Sequence, residues 1–246
     1  MLPIIITEAT IHTKVSPKIN PRNFNSALYY ISFQDMHILN TLFDKIYIIN
    51  LERRPERWVL AEQELSRWGI NACRVSAVDG NTLKDDGYRL ALGAVGLIKT
   101  NINILQHAKA NGYKRILILE DDVVFSQEIN KIGEYLAAVP PNYDMLYFSG
   151  NHNDHVVGVM PPHVINDRVL RVHETFSTHC VVIQEHMFDV IINAIQPCHK
   201  PLDVYYAELQ KKHNVYCLKG PIPIATQRVG FSDILAEDAD YQWLIK

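Results

Sequence analysis

The chain has few cysteines, little net charge and no long hydrophobic run. Its four cysteines in 246 residues stand far apart and form no CxxC pair. They therefore indicate neither a structural zinc site nor a disulfide framework, and they are typical of a reducing compartment. The formal charge of −3 provides no basic field for DNA or RNA, so nucleic acid is not an expected partner.

The N-terminal stretch MLPIIITEATIHTKVS has no basic region of the kind that begins a secretory signal, and Glu8 interrupts its short apolar run. We expect neither a signal peptide nor a membrane span here. Together with the cysteine usage, this predicts a cytoplasmic protein (host cytoplasm if viral). Peripheral membrane association and the oligomeric state stay open.

The hydrophobic pattern divides the chain near residue 43. Residues 1–43 contain scattered prolines and no sustained period, so they are expected to form an N-terminal extension, in which Met36 is an alternative start. Over residues 44–246, short β-rich runs alternate with helical segments of about ten residues. This alternation predicts one α/β domain with a mostly parallel central sheet.

Three consecutive carboxylates, Glu120, Asp121 and Asp122, interrupt the apolar run in KRILILEDDVVF. Burying an unpaired carboxylate is costly, and adjacent carboxylates also repel each other. The triplet follows the strand RILIL, and ligands of open α/β sheets bind at the carboxyl ends of strands. Mg²⁺ and Mn²⁺ take such oxygen ligands together with substrate phosphates. The triplet is therefore either a cation site or a set of solvated or arginine-paired carboxylates.

Other classes with similar acidic motifs do not fit the pattern. Receiver domains carry their acid pair near the N-terminus and need an aspartate after a later strand. The next predicted strand here, DMLYFSG, ends in Ser149 and Gly150 instead. The DxDxT loop of haloacid-dehalogenase-type phosphatases and the Walker loop are also absent from the sequence.

Four stretches, in this order and spacing, resemble glycosyltransferase family 25, which contains lipooligosaccharide and collagen galactosyltransferases. They are KIYIINLERRPERW, VSAVDGNTL, GLIKTNINIL with the following GYKRILILEDDV, and the tail ATQRVGFSDI. The resemblance implies a GT-A-type, Rossmann-like fold that binds a UDP-sugar donor with Mn²⁺ (or Mg²⁺) at the acidic motif. It also implies inverting transfer of a hexose, galactose or glucose, to a glycan or other hydroxyl acceptor, as in lipopolysaccharide biosynthesis.

The sequence departs from the family pattern at the start of the third stretch. Thr100 and Asn101 stand where the family commonly has a Ser-His pair, and Leu97 stands where a cysteine is usual. No role of that histidine can be transferred to this chain. A catalytically silent relative that binds a nucleotide-sugar or a glycan is therefore the alternative function.

The resemblance assigns roles to the acidic triplet and to the first turn. Asp122 is the expected metal ligand together with Asp121, while Glu120 and Asp121 orient the ribose or the waters of the metal. The strand-end turn NLERRPER supplies further expected nucleotide contacts, which are Asn50, Arg53 and Arg54, and it also offers the guanidinium of Arg57. Guanidinium forks suit phosphate and uracil carbonyls. The alternative for the arginines is a solvated helix start paired with Glu52 and Glu56.

An inverting enzyme needs a general base near the acceptor hydroxyl. Asp203 in KPLDVYYAEL is the first candidate by resemblance to a Pro-x-Asp element of the family, and its alternative role is a helix N-cap. His179 in FSTHCVVI is the second candidate, and its alternative is a satisfied core histidine.

Two remaining segments are expected near the ligand. Asp79 lies in the turn VSAVDGNTL, and the tail residues Gln227, Arg228 and Ser232, with Asp233, are expected to close over the diphosphate as a lid that excludes water. The cluster NHNDH at residues 151–155 is interpreted as a polar acceptor loop in preference to a metal site.

Overall fold

The structure, a computed structural model, describes residues 6–7, 37–84, 87–152, 158–234 and 237–240. The strands are β1 (Ile6–Thr7), β2 (Lys45–Asn50), β3 (Cys73–Ser76), β4 (Arg115–Glu120), β5 (Val123–Phe125), β6 (Met145–Tyr147), β7 (His163–Asn166), β8 (Val169–Arg171), β9 (Cys180–Gln184), β10 (Val215–Leu218), β11 (Ala225–Gln227), β12 (Gly230–Ser232) and β13 (Glu237–Ala239). The α-helices are α1 (Leu39–Leu42), α2 (Pro55–Trp68), α3 (Leu92–Ala110), α4 (Ile132–Ala137), α5 (Phe188–Ile195) and α6 (Leu202–Gln210). Short 3-10 helices cover Gly80–Thr82, Gln127–Lys131 and Glu185–Met187.

The central sheet has nine strands in the order β1-β3-β2-β4-β9-β6-β10-β8-β7. Strands β3, β2 and β4 are paired in parallel, and so are β6 and β10. Strand β9 runs antiparallel between β4 and β6, and β1 and β8 are also reversed. Six of the nine strands share one direction, because β7 is antiparallel to β8 and therefore follows β10. The predicted α/β class with a mostly parallel sheet is confirmed.

Helices cover both faces of the sheet, and the side chains of β2 show how the core is divided. Tyr47 and Ile49 are buried against α3, α5 and α6, whereas Ile46 and Ile48 are buried against α1, α2 and α4. This alternation follows the two-residue period of a strand, and burial on both faces explains the nearly continuous apolar run. None of the helices in the described ranges is both long and apolar enough to cross a bilayer.

The core of the domain begins before residue 44. Leu39 and Phe43, which were assigned to the N-terminal extension, are buried at 0% and 5% exposure beneath the sheet. Strand β1 is also attached, since it pairs with the edge of β3. The other residues of the extension, including the alternative start Met36, lie outside the described residues.

The segment PIPIATQRVGFSDI, for which its prolines predict a loop, contains short strands instead. It contains β11, which pairs antiparallel with β5, and β12, which pairs antiparallel with β13. Strands of three residues are too short to show a hydrophobic period, and the partner of β11 lies about a hundred residues earlier in the chain. This pairing brings the tail to the end of β4, where the acidic triplet stands.

Two glycines allow the turn after β3 to lie directly on α3. A Cβ atom at Gly96 would stand 2.3 Å from the carbonyl oxygen of Val78, and one at Gly80 would stand 2.4 Å from the carbonyl carbon of Leu92. Thr100 stabilises the same contact, because its hydroxyl oxygen accepts a hydrogen bond from the backbone N–H of Val78 at 2.9 Å. The residue that departs from the family pattern thus has a structural partner here.

We expect Gly96→Ala to lower the free energy of unfolding by about 1–3 kcal/mol, because the added methyl group meets backbone atoms that cannot rotate away. Urea denaturation of both proteins measures this difference. The control is Gly133→Ala in α4, where the new Cβ would meet only the Ile38 side chain at 3.5 Å and a helix-favouring residue replaces glycine. Equal stability of the two variants would contradict the close contact.

Candidate active site

A cavity of about 670 Å³ opens at the carboxyl ends of β2, β3 and β4. Parallel neighbours end at the same edge of the sheet, so the turns that follow these strands meet there. The predicted site residues that line the cavity are Asn50, Arg53, Arg54, Asp79, Glu120, Asp121, Asp122, Asp203, Gln227, Arg228 and Ser232. Segments separated by up to 180 positions are thereby brought together.

Asp121 is held by one amide and one guanidinium. The Asn50 side-chain amide donates to Asp121 Oδ2 at 2.6 Å, and Asn50 itself accepts from Arg74 at 2.5 Å. The Arg57 guanidinium contacts Asp121 Oδ1 and lies 3.3 Å from Asp122 Oδ2. Part of the negative charge is therefore offset within the protein, as in the arginine-paired alternative for the triplet.

Glu120 is neutralised differently. The Thr178 hydroxyl lies 2.5 Å from Glu120 Oε1, and burial beside the Asp122 carboxylate raises the pKa of Glu120 to about 8. Burial raises the pKa of Asp121 and Asp122 as well, and the guanidinium of Arg57 opposes that rise. Near neutral pH the Glu120 carboxyl therefore retains its proton, which reduces the repulsion within the triplet.

Asp122 is the least satisfied of the three acids. Its Oδ2 accepts from Gln227 at 3.4 Å, but its buried Oδ1 has no hydrogen-bond partner among the described residues. A buried carboxylate oxygen without a donor is a suitable ligand for a hard divalent cation. The described residues contain no group of three or more His, Cys, Asp or Glu side chains able to enclose a metal. Asp121 and Asp122 thus fit a cation that takes its other ligands from water or a diphosphate.

The arginines of the first turn surround a carboxylate from the tail. Arg53 and Arg54 contact the two oxygens of Asp233 at 2.8 Å and 2.6 Å. Arg53 also contacts Asp79 at 2.8 Å, and Arg54 contacts Glu56 at 2.5 Å, so the expected pairing with Glu56 is present as well. The two guanidinium groups are therefore arranged around an anion at the cavity wall.

The tail lies across this arrangement. Arg228 donates its backbone N–H to the Asp122 carbonyl at 2.7 Å, and the Phe231 ring lies 5.8 Å from the Arg54 guanidinium carbon. The backbone also passes close to α3, because a Cβ at Gly93 would stand 2.7 Å from the Asp233 carbonyl oxygen. Residues 227–234 consequently form one wall of the cavity.

The structure separates the two candidate bases. Asp203 lines the cavity in the first turn of α6, one position after Leu202, and burial raises its pKa. The helix is capped at Pro201 without a side-chain bond, so Asp203 is not the N-cap. His179 does not line the cavity: it is fully buried, donates from Nε2 to the Ala225 carbonyl at 3.1 Å, and has its pKa lowered to about 4 by burial. His179 thus occupies a core position, but it is not the fully satisfied histidine of the alternative, because its buried Nδ1 has no hydrogen-bond partner among the described residues.

Contacts with three cavity residues, Arg57, Ser177 and Thr178, were not predicted from the sequence. Arg57 belongs to the predicted arginine turn, but its contact with the triplet was not predicted, and Thr178 was not a predicted site residue; each is separated from the triplet in sequence by more than fifty positions. Ser177, which was not predicted either, lines the cavity with a φ of 79°, which is strained for a residue with a Cβ and is typical of functional sites. The motif RRPER drew attention to the turn that holds Arg57, but no sequence signal indicated Ser177 or Thr178.

The loop interpreted as an acceptor loop is only partly described. Asn151 lines the cavity and pairs with the backbone of Phe176, while His152 is buried with its Nδ1 2.7 Å from the Thr175 hydroxyl. Residues 153–155 lie outside the described residues.

The model of glycosyltransferase family 25 (LPS biosynthesis protein) matches residues 43–205, more than half of the chain. The chain belongs to glycosyltransferase family 25. The matched range contains the first three of the four sequence stretches, and each of these contributes residues to the cavity.

Relatives in animals cover a limited part of the sequence. An inactive glycosyltransferase 25 family member 3 from Mus musculus is 28% identical over 43% of this chain and 22% of its own length. A glycosyltransferase 25 family member from Drosophila melanogaster is 30% identical over 43% of this chain and 21% of its own length. The matched region thus spans about a fifth of these curated relatives.

Solved structures with a similar chain path are distant. A glycosyltransferase involved in the glycosylation of the major capsid of PBCV-1 has a TM-score of 0.35 at 13% identity, over 61% of this chain and 66% of its own. Mouse xyloside xylosyltransferase 1 has a TM-score of 0.37 at 12% identity, over 68% of this chain and 69% of its own. Similarity at this level carries no information about the substrate.

The raised pKa of Glu120 predicts a pH-dependent stability in chelator-treated protein. Between pH 5 and pH 8 the folded protein retains a proton on Glu120 that the unfolded chain releases, so stability decreases as the pH rises. The contribution reaches at most about 1.4 kcal/mol per pH unit. Glu120→Gln removes this contribution, so the variant gains stability relative to the wild type as the pH increases.

Urea denaturation at several pH values measures both slopes. Glu134→Gln, which changes an exposed carboxylate on α4, is the control and is expected to keep the wild-type slope. A Glu120→Gln slope equal to that of the wild type would show that Glu120 ionises normally in the folded protein.

Proposed function

We propose that this cavity binds a UDP-sugar together with Mn²⁺ or Mg²⁺ and transfers its hexose, galactose or glucose, with inversion to a glycan or other hydroxyl acceptor. The observation that carries the proposal is the convergence of an acidic triplet and an arginine-rich turn at one strand-end cavity in a family 25 chain. Opposite charges on facing walls suit a ligand that consists of a cation and a diphosphate.

The arginine turn would bind the diphosphate. Arg53 and Arg54 already hold the carboxylate of Asp233 between them, with its side chain only 12% exposed. A diphosphate carries more negative charge and more acceptor oxygens than a carboxylate, so it competes well for the same forks. Displacement of Asp233 would then change the position of the tail.

The acidic wall would hold the cation through Asp122 and Asp121. When bound, such a cation offsets the charge that develops on the departing UDP. The protein prepares both carboxylates for this task, because Asn50 orients Asp121 and Gln227 lies next to Asp122. Glu120 would orient the ribose or the waters of the metal from the end of β4.

Asp203 is the proposed general base. It lines the same cavity as the triplet, and a carboxylate with a raised pKa accepts a proton more readily near neutral pH. The acceptor hydroxyl transfers its proton to Asp203 while its oxygen forms the new bond to the anomeric carbon. The bond between that carbon and the UDP oxygen breaks at the same time, and UDP leaves with the electron pair.

The tail would limit hydrolysis of the donor. Residues 227–234 form a wall of the cavity and contact the arginine turn through Asp233 and Phe231. A wall that closes on a bound donor excludes water from the anomeric carbon and favours transfer to the acceptor.

A second candidate is a silent family member that binds a nucleotide-sugar or a glycan without turnover. Relatives from Mus musculus and Rattus norvegicus bear names that call them inactive or probable inactive. Thermal-shift measurements with UDP-galactose and UDP-glucose, with and without Mn²⁺, followed by a UDP-release assay, separate the two candidates. Stabilisation without UDP release, in the presence of a panel of acceptors, would favour the silent member.

We expect Asp122→Ala to reduce UDP release from UDP-sugars in the presence of Mn²⁺ by about 10²–10³-fold, the loss typical of removing one preorganised stabilising group. The UDP-release assay measures this loss. Asp189→Ala, which removes a surface carboxylate on α5, is the matched control and should retain full activity. Full activity of the Asp122 variant would refute its role.

We expect Asp203→Asn to lower kcat by about 10²–10⁴-fold, since the amide cannot accept the proton of the acceptor. Affinity for UDP with Mn²⁺ should stay within the error of the wild type, because the base does not bind the donor. Steady-state kinetics and calorimetric titration with UDP measure the two quantities. A wild-type kcat would exclude Asp203 as the base, and Asp189→Asn is the control.

A further inference from the structure

Arg57 occupies a central position between the two charged walls of the cavity. It is the third residue of α2, and its side chain is 21% exposed. One terminal nitrogen contacts Asp121 Oδ1 and lies 3.3 Å from Asp122 Oδ2. The other donates to the Phe231 carbonyl at 3.3 Å and lies 3.8 Å from Asp233. A single guanidinium thus bridges the two acids and also contacts the tail.

The charge of Arg57 does not fully satisfy these acids. Two carboxylates face one positive charge, and Asp122 Oδ1 still lacks a hydrogen-bond partner among the described residues. A divalent cation carries twice the charge and coordinates carboxylate oxygens directly. A guanidinium and a cation both bound to Asp121 and Asp122 would repel each other across a short distance in a partly buried site.

We propose that Arg57 is an exchangeable internal counterion, which holds Asp121 and Asp122 together in the cation-free protein and leaves them when a divalent cation binds. This inference rests on the proposed function, because it concerns the same two carboxylates. It makes Arg57 a positioning residue that competes with the cation, whereas Arg53 and Arg54, which do not contact the triplet within ion-pair distance, do not compete with it.

The exchange also links the cation to the diphosphate. Arg57 already lines the cavity together with Arg53 and Arg54. Once released from Asp121 and Asp122, its positive charge no longer has these two carboxylates as partners. A diphosphate gives that charge a new partner, so UDP weakens the competition between Arg57 and the cation. In the wild type, UDP should therefore increase the affinity for Mn²⁺ by a larger factor than in a variant without the Arg57 charge.

The test uses Mn²⁺ as the probe and does not require turnover. Electron paramagnetic resonance of free Mn²⁺ gives the dissociation constant for the wild type, Arg57→Gln and Arg57→Lys, each with and without UDP. We expect Arg57→Gln to bind Mn²⁺ about tenfold more tightly than the wild type without UDP, within the range typical of coupled sites. Arg57→Lys, which retains the charge, should remain close to the wild type.

Arg67→Gln is the matched control, because it removes an arginine from the same helix at an exposed position away from the cavity. Its Mn²⁺ affinity should equal that of the wild type. The melting temperature provides a second measurement: Mn²⁺ should raise it more in Arg57→Gln than in the wild type, since the variant leaves its acids without a counterion. The rise in melting temperature is measured for each protein relative to its own cation-free form, so the comparison is valid even if the cation-free variant is less stable.

The outcomes distinguish this inference from the proposed function. Equal or weaker Mn²⁺ binding by Arg57→Gln, with normal binding by the wild type in the presence of UDP, would overturn the exchange and leave the proposed function standing. Tightening by Arg57→Lys as large as by Arg57→Gln would overturn the competition of charges. If UDP binds but Mn²⁺ binds to none of the proteins, Arg57 is a permanent partner of the acids, and the cation must be removed from the proposed function.

Discussion

The chemistry of the cavity depends on three adjacent carboxylates at the end of β4, of which Asp121 is buried and Glu120 and Asp122 are half-buried. Each carboxylate has a different means of stabilisation, which is supplied by a different part of the chain. Glu120 retains a proton and lies beside the Thr178 hydroxyl. Asp121 accepts a hydrogen bond from Asn50 and forms an ion pair with Arg57. Asp122 also forms an ion pair with Arg57 and accepts a hydrogen bond from the Gln227 amide. Such clusters persist only when their neighbours offset the cost of desolvation.

The sheet topology explains how these partners reach the triplet. Asn50 ends β2, the parallel neighbour of β4, and Thr178 precedes β9, the antiparallel neighbour on the other side. The pairing of β11 with β5 brings Gln227 opposite Val123, one residue after Asp122. Helix α2 begins just after β2 and supplies Arg57 in its first turn. The order of the strands thus determines the chemistry of the cavity.

The cavity in this state is neutralised by internal ion pairs on both walls. Arg57 binds the acids that are proposed to hold the cation, and Asp233 binds the arginines that are proposed to hold the diphosphate. A ligand that contains both charges would exchange both sets of pairs together. Under the proposed function, the tail would therefore change position only when the complete donor is bound.

The sequence by itself determined the α/β class and the acidic strand end, because the hydrophobic period and the positions of charged residues are local properties. All of the predicted site residues except His179 line the cavity. Only the tertiary structure decided that His179 is buried, that the tail forms strands, and that Arg57 and Thr178 satisfy the triplet. Apart from the local pairing of β12 with β13, these features depend on contacts between segments more than forty residues apart, and the burial that creates them has no local signal in the sequence.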